Sequence, residues 1–153
     1  MIEVGNIDQF TSYLTDLLEG ETTFKINPET AYPVSYDEML SVAQEEWSSN
    51  ARPEIANLIS SIDEYETIMI GYPIWNGHAP RIIYSFLDAF DFSNKRIIPF
   101  ATAGSSSMNN SVNELESNYP NYQFEEGLRI TDSTIQNEQE SKNLISTWLE
   151  ELF

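Results

Sequence analysis

The sequence predicts an α/β domain of three layers, a parallel sheet with helices on both faces. Three observations predict it. Thr67-Ile68-Met69-Ile70-Gly71-Tyr72 and Arg96-Ile97-Ile98-Pro99-Phe100-Ala101 are short continuous apolar runs, the pattern of strands buried on both sides. Segments with apolar residues at helical spacing separate and flank them. Strands alternating with helices imply parallel pairing through crossover connections.

Taken in order, Ile7, Phe10, Leu14, Leu17 and Leu18 recur at helical spacing, with Asp8 placed to cap the helix and Gly20 to stop it. Thr22 to Ile26 reads as a short strand closed by Asn27-Pro28. A helix is expected from about Ser35 to Trp47, with Met39, Leu40, Ala43 and Trp47 on one face. A turn follows at Asn50-Ala51-Arg52-Pro53, then a short helix from Pro53 to about Ser60. After the first buried run, Pro80 opens a helix in which Ile82, Ile83, Phe86, Leu87 and Phe90 share a face. After the second, a short helix lies around Val112 and Leu115 and stops at Asn118-Tyr119-Pro120. Phe124 to Ile130 is the last strand, and Ile135 to Leu152 the C-terminal helix.

A chain of 153 residues fits one domain, 1–153, able to bury roughly 70% of its unfolded surface. Its 25 acidic and 7 basic residues give a net charge of −18. Nucleic acid and anionic membrane surfaces would be repelled by that field, whereas a protein partner with a basic face would be steered toward it. The absence of cysteine removes disulfides, thiolate nucleophiles and cysteine-ligated metals. Met1 to Asn6 has no basic or apolar leader, and Ile68 to Trp75 is too short to span a bilayer, so a cytoplasmic protein is expected.

In open parallel sheets, ligands collect beyond the carboxyl ends of the strands. Two loops leave such ends, 73–80 and 102–110. Both are rich in glycine, hydroxyls and amides, and the first holds Trp75 between a proline and a glycine, where its flat face suits a planar heterocycle. His78 is the one histidine and reads as an exposed loop residue, so a histidine-rich metal site is excluded. Gly104-Ser105-Ser106-Ser107-Met108 lacks the nucleophile elbow of a serine hydrolase, and no Walker or G-x-G-x-x-G loop occurs. Asp88 and Asp91, like Glu45 and Glu46, read as solvated faces.

Gly71-Tyr72-Pro73-Ile74-Trp75-Asn76-Gly77-His78-Ala79-Pro80 and Pro99-Phe100-Ala101-Thr102-Ala103-Gly104-Ser105 resemble flavodoxin-like proteins with G-Y-P-I-W-W-G-x-A-P and P-F-x-T-S-G-G-S loops. Tyr32-Pro33, Arg52-Pro53-Glu54 and Glu126-Gly127-Leu128-Arg129-Ile130 are similar to the same branch. The resemblance implies a flavodoxin-like sheet and an FMN cofactor, with Pro73, Ile74, Trp75, Asn76, Gly77, Thr102, Ala103, Gly104 and Ser105 around the flavin ring. Asn76 stands where the family commonly has a second tryptophan, Ala103 replaces a serine, and Ser105 a glycine. The family opens with a buried strand and a hydroxyl-rich loop that cradles the phosphate at a helix N-terminus. Here that strand is absent or truncated, and Gly5-Asn6 is what remains of the loop, so Asn6 is the one phosphate-side residue carried over. The resemblance leaves open a start further upstream, a loss of the motif, or a homodimer in which a second subunit completes the site. It also implies that Thr22–Ile26 pairs directly with Thr67–Tyr72 unless a partner intervenes. The expected function is FMN-dependent redox chemistry, as an electron carrier or as a small quinone or nitro reductase with a basic-faced protein or a quinone-like molecule as partner. The other reading is an acidic interaction module on the same fold that has lost FMN.

Overall fold

Residues 5–19 and 21–153 are described in the structure, a computed structural model. Helices α1 (Asn6–Leu17) and α2 (Tyr36–Ser48) precede the first strand, β1 (Thr67–Pro73). Helix α3 (Arg81–Ala89) leads to β2 (Arg96–Ala103), and α4 (Asn109–Asn118) to β3 (Gln123–Phe124) and β4 (Leu128–Thr131). A single 3₁₀ turn, Thr134–Gln136, and α5 (Glu138–Leu152) finish the chain. All strand pairs are parallel, and β2 is central, with β1 on one side and β3 and β4 on the other.

β2 sorts its side chains with period two. Ile97, Ala101 and Ala103 join the cluster under α2, α3 and α4, whereas Ile98 and Phe100 join the cluster under α1 and α5. The predicted last strand is split in two because of Pro99. Ile97 pairs with Phe124 and Phe100 with Leu128, so Ile98-Pro99 on β2 faces three residues, Glu125-Glu126-Gly127. Proline offers no N–H to the ladder, and one extra residue on the neighbouring strand, a bulge, absorbs the gap.

Several expectations change. Gly5, not Asp8, is the N-cap of α1, and Asp8 sits in the first turn, where its charge complements the helix dipole. The proposed stop at Gly20 and the segment Met1–Val4 lie outside the described residues. Thr22–Ile26 is not a strand. Its backbone is taken up by residues 54–57 instead: Ala56 N–H donates to the Asn27 carbonyl at 2.8 Å, and the Asn57 amide to the Lys25 carbonyl at 3.0 Å. The same contacts keep 53–60 from forming a helix, since Pro28 and Ile55 make an antiparallel bridge. β1 is mostly half-buried rather than enclosed, because among the described residues β2 is its one strand partner. The turn expected after α2 is a Schellman motif: Ala51 N–H reaches the Glu46 carbonyl at 2.9 Å and Asn50 N–H the Trp47 carbonyl at 3.1 Å. Asn50 takes the left-handed position, φ 54°. Among the described residues no helix is long and apolar enough to cross a membrane.

A methyl group on Gly71 would fall 2.3 Å from the ring of Phe100. That ring is pinned on its other side by Phe10, at a centroid distance of 4.8 Å. Gly71→Ala is therefore expected to lower stability by about 1–3 kcal/mol through overpacking, read as a lower urea midpoint at unchanged slope. An unchanged midpoint would show that Phe100 has room to yield.

Candidate functional site

The register of β1 on β2 brings the two ligand-type loops together. Pro73 lies opposite Thr102, and Ile74 N–H donates to the Thr102 carbonyl at 2.8 Å. Immediately beyond, the chain reverses in a two-residue turn: Trp75 and His78 exchange backbone hydrogen bonds, both 2.9 Å. Asn76 (φ 54°) and Gly77 (φ 83°) occupy its centre, both left-handed, as a type I′ turn requires. Asn-Gly is the sequence pair that favours this turn.

Contacts to two helices clamp the turn. The Asn76 amide donates to the Leu40 carbonyl of α2 at 3.2 Å, and the Asn110 amide of α4 to the Gly77 carbonyl at 3.0 Å. His78 is not a free loop residue. Its Nδ1 lies 2.9 and 3.0 Å from the two carboxylate oxygens of Glu114, and its ring stacks on Trp47 at 3.8 Å and 10°. No local pattern joins these residues, which only the packing of α2 and α4 brings together. Behind the turn, Tyr72 donates to Ser111 at 2.9 Å and Ser111 to the Met108 carbonyl at 2.8 Å. Burial pushes the Tyr72 phenol up to about 12, against the pull of the Ser111 bond.

Trp75 is half-buried and meets Tyr32 edge-on at 5.0 Å, and the Tyr32 hydroxyl donates to Glu46 at 2.8 Å. Burial and the neighbouring Glu46 raise the Tyr32 phenol well above its ordinary value. Beside Tyr32 opens a cleft of about 610 Å³ walled by Val42, Glu46 and Pro53. A second, of about 360 Å³, lies between Arg52–Leu58 and α3. Neither cleft is lined by the two loops.

In the second loop, Thr102 and Ala103 turn their side chains into the core, 2% and 3% exposed, so only their backbone faces a ligand; Gly104 and Ser105 are exposed. Asn6 arrives at the same end of the sheet through Asp132. Asp132 N–H donates to the Ala103 carbonyl at 2.8 Å, the Asn6 amide to Asp132 at 2.9 Å, and Gln136 to Asn6 at 3.0 Å. The structure thus joins Pro73–Gly77, Gly104-Ser105 and Asn6 at one edge. Their donors and the half-buried indole fit a planar ring. A phosphate is less well served: the Asn6 side-chain amide is already engaged by Asp132, and carboxylates of Asp132 and of Asp8, the latter paired with Lys25 at 3.0 Å, stand at the start of α1.

A second polar knot closes the end of α2. Arg81, 4% exposed, donates to the Ala51 carbonyl at 3.2 Å and to the Asn50 side chain. Arg52 pairs with Asp88 at 2.6 Å, and Asp88 also accepts from Tyr119 at 2.6 Å. Burial alone would raise the Asp88 carboxyl, but the bonds from Tyr119 and Arg52 outweigh it and hold the group below its ordinary value. A depressed carboxyl contributes stability that is present above its unfolded pKa and lost as pH falls through the folded one. Stability should therefore decline as pH drops below about 4. Asp88→Asn should flatten that part of the acid limb, as followed by urea unfolding across pH; an identical acid limb in the variant would exclude this contribution.

A family model described as flavodoxin matches residues 11–152. A protein of known structure from Bacteroides uniformis, assigned as a flavoprotein, is 32% identical, with a TM-score of 0.81 over 94% of this chain and 90% of its own. One from Bacteroides eggerthii, likewise assigned, is 29% identical, with a TM-score of 0.81 over 95% and 89%. A flavoprotein from Lactobacillus acidophilus, in complex with FMN, is 21% identical, with a TM-score of 0.57 over 75% and 76%. No curated protein sequence matches the chain.

Proposed function

The chain belongs to the flavodoxin family, and from that premise we propose that it is an FMN-binding redox protein, either an electron carrier or a reductase of small quinone-like or nitro compounds. The observation that carries this reading is the parallel register that sets the Trp75–His78 turn beside Gly104-Ser105. The FMN complex of the Lactobacillus relative supports the cofactor. When bound, the flavin supplies hydride and single-electron chemistry.

This chain's own residues would do the rest. Trp75 packs against the ring, and the clamped Asn76-Gly77 turn offers backbone donors and acceptors at a fixed position. Gly104 and Ser105 bring backbone close to the ring from the neighbouring strand. The −18 net charge opposes negative charge accumulating on a ligand reduced at this edge and so lowers its potential, while favouring a partner with a basic face. The carboxylates at the start of α1 favour a second reading, an acidic interaction module that holds no flavin.

Titration with riboflavin and FMN separates the two. Under the first reading riboflavin binds at least as tightly as FMN, because the phosphate brings roughly −1.5 to −2 charges toward Asp8 and Asp132. Asp132→Asn then strengthens FMN by about 0.3–1 kcal/mol and leaves riboflavin unchanged. Trp75→Ala weakens both by about 1–3 kcal/mol, on the scale of base–aromatic stacking. Binding of neither flavin would favour the interaction module, and a bound potential above that of free FMN would contradict the electrostatic argument.

A further inference from the structure

His78, which closes the Asn76-Gly77 turn, is also the start of an unbroken aromatic chain. His78 lies flat on Trp47 at 3.8 Å; Trp47 meets Tyr84 at 6.0 Å, and Tyr84 meets Tyr119 at 6.0 Å. Tyr119 in turn stacks on Tyr122 at 5.3 Å and 4°. Tyr84 is fully buried, whereas Trp47 and Tyr119 are half-buried, so both ends of the chain reach the surface.

We propose that Trp47, Tyr84 and Tyr119 form a one-electron relay, which carries an oxidising equivalent from the turn to the surface at Tyr119, where Asp88 takes the phenolic proton. That the relay starts beside a redox ring rests on the reading above; its operation does not require the ring to be bound.

The three aromatic groups differ in a way that gives the chain a direction. A phenol gives up an electron readily only when a base accepts its proton. Among the described residues the buried Tyr84 hydroxyl has no hydrogen-bond partner and no base beside it. Guanidinium carbons of Arg81 and Arg52 also lie over its ring, at 3.9 and 5.2 Å, and oppose positive charge on it. Tyr84 therefore bridges and does not trap. Arg81 stands 4.9 Å from the Trp47 ring as well, which disfavours a positive charge resting on the indole. At Tyr119 the situation is reversed: its hydroxyl donates to the Asp88 carboxylate at 2.6 Å, within reach for direct proton transfer. The charged form of Asp88 is favoured by the same hydrogen bond and by Arg52.

The step needs an oxygen- or nitrogen-centred radical as oxidant, which takes one electron from the Trp47 indole and is itself reduced to its anion; beyond that the step balances within the protein. The Trp47 radical cation gains an electron from Tyr119 through Tyr84 and returns to neutral tryptophan. Tyr119 loses that electron, its O–H proton passes to Asp88, and the products are a neutral tyrosyl radical and a neutral carboxylic acid. The parallel Tyr122 ring, whose hydroxyl donates to the Phe90 carbonyl at 3.1 Å, has no carboxylate base and leaves Tyr119 as the terminus.

The test uses pulse radiolysis of the ligand-free full chain, with the azide radical as a tryptophan-selective oxidant. Trp75→Phe and Trp148→Phe together leave Trp47 as the one tryptophan and remove the competing Trp75–Tyr32 contact. In that protein the tryptophan-radical absorbance should convert to tyrosyl absorbance in a first-order phase independent of protein concentration. Adding Tyr119→Phe should abolish the phase. Adding Asp88→Asn, which removes no ring and keeps the side-chain volume, should slow it by roughly a hundredfold. Decay of the tryptophan radical only by second-order recombination would overturn the relay, as would an unchanged phase in either added variant. Because no flavin is present, these outcomes are independent of whether FMN binds.

Discussion

The parallel ladder between Thr67–Pro73 and Arg96–Ala103 is the constraint on which the rest of this molecule depends. Its strands carry almost no polar side chains, so their backbone groups must be satisfied by pairing. The pairing fixes a single register, because a slip by one residue would exchange the side chains bound for α1 and α5 with those bound for α3 and α4. Gly71 lets the Phe100 ring lie across β1, and Phe100 in turn meets Phe10 of α1. The same register sets Pro73 against Thr102, and so determines which loops can face one ligand. Core packing and site geometry are thus consequences of one alignment.

Charge is distributed less evenly than composition implies. Lys25, Arg52, Arg96 and Lys142 pair with carboxylates, while Arg81 and Lys95 donate to oxygens at Asn50, Ala51 and Tyr65. Six of the seven basic residues therefore serve local anchoring, mostly where loops meet helix ends. Pairs this exposed contribute little stability individually. Among the described residues most carboxylates are thereby left without a cationic neighbour, so the long-range field stays strongly negative. Such a field suits association with a basic surface and opposes the approach of a phosphate.

Much of this was legible in the residues. Apolar runs located β1 and β2, helical spacing located α1 to α5 but also a helix at 53–60 that does not form, and the Pro80 and Asn118-Tyr119-Pro120 boundaries fall within a residue. Asn76-Gly77 carried the signature of its turn. Other features depended on distant partners. Thr22–Ile26 has a strand-like alternation, yet Asn57 and the 54–57 backbone decide its pairing. The bulge at Glu125–Gly127 follows from Pro99 on another strand. His78 looked exposed because nothing nearby in sequence announces Glu114, and Trp47 lies in a helix that precedes it by a whole strand. Asp88, read as a solvated carboxylate, is tied to Arg52 and Tyr119 by the packing of α3 against its neighbours.

These contrasts explain why the ring half and the phosphate half of the candidate site have such different character. The ring half is made chiefly of backbone, held by the β1–β2 ladder, by the Asn76 amide on the Leu40 carbonyl and by the Asn110 amide on the Gly77 carbonyl. At Ala103 and Ser105 the ladder rather than the side chain places the peptide groups, whereas Asn76 holds its turn through a left-handed backbone and its bond to the Leu40 carbonyl. A phosphate cradle is the opposite case. It needs free donors at a helix start, and each one turned to an internal partner is lost to the ligand. At α1 the Asn6 amide is held by Asp132 and its carbonyl oxygen by Gln136, in a network that ties the helix to the end of β4. The network that anchors α1 to the sheet thus occupies the side chain a phosphate would use. Under the proposed reading, recognition at this edge would fall to stacking and to the fixed backbone of the two loops.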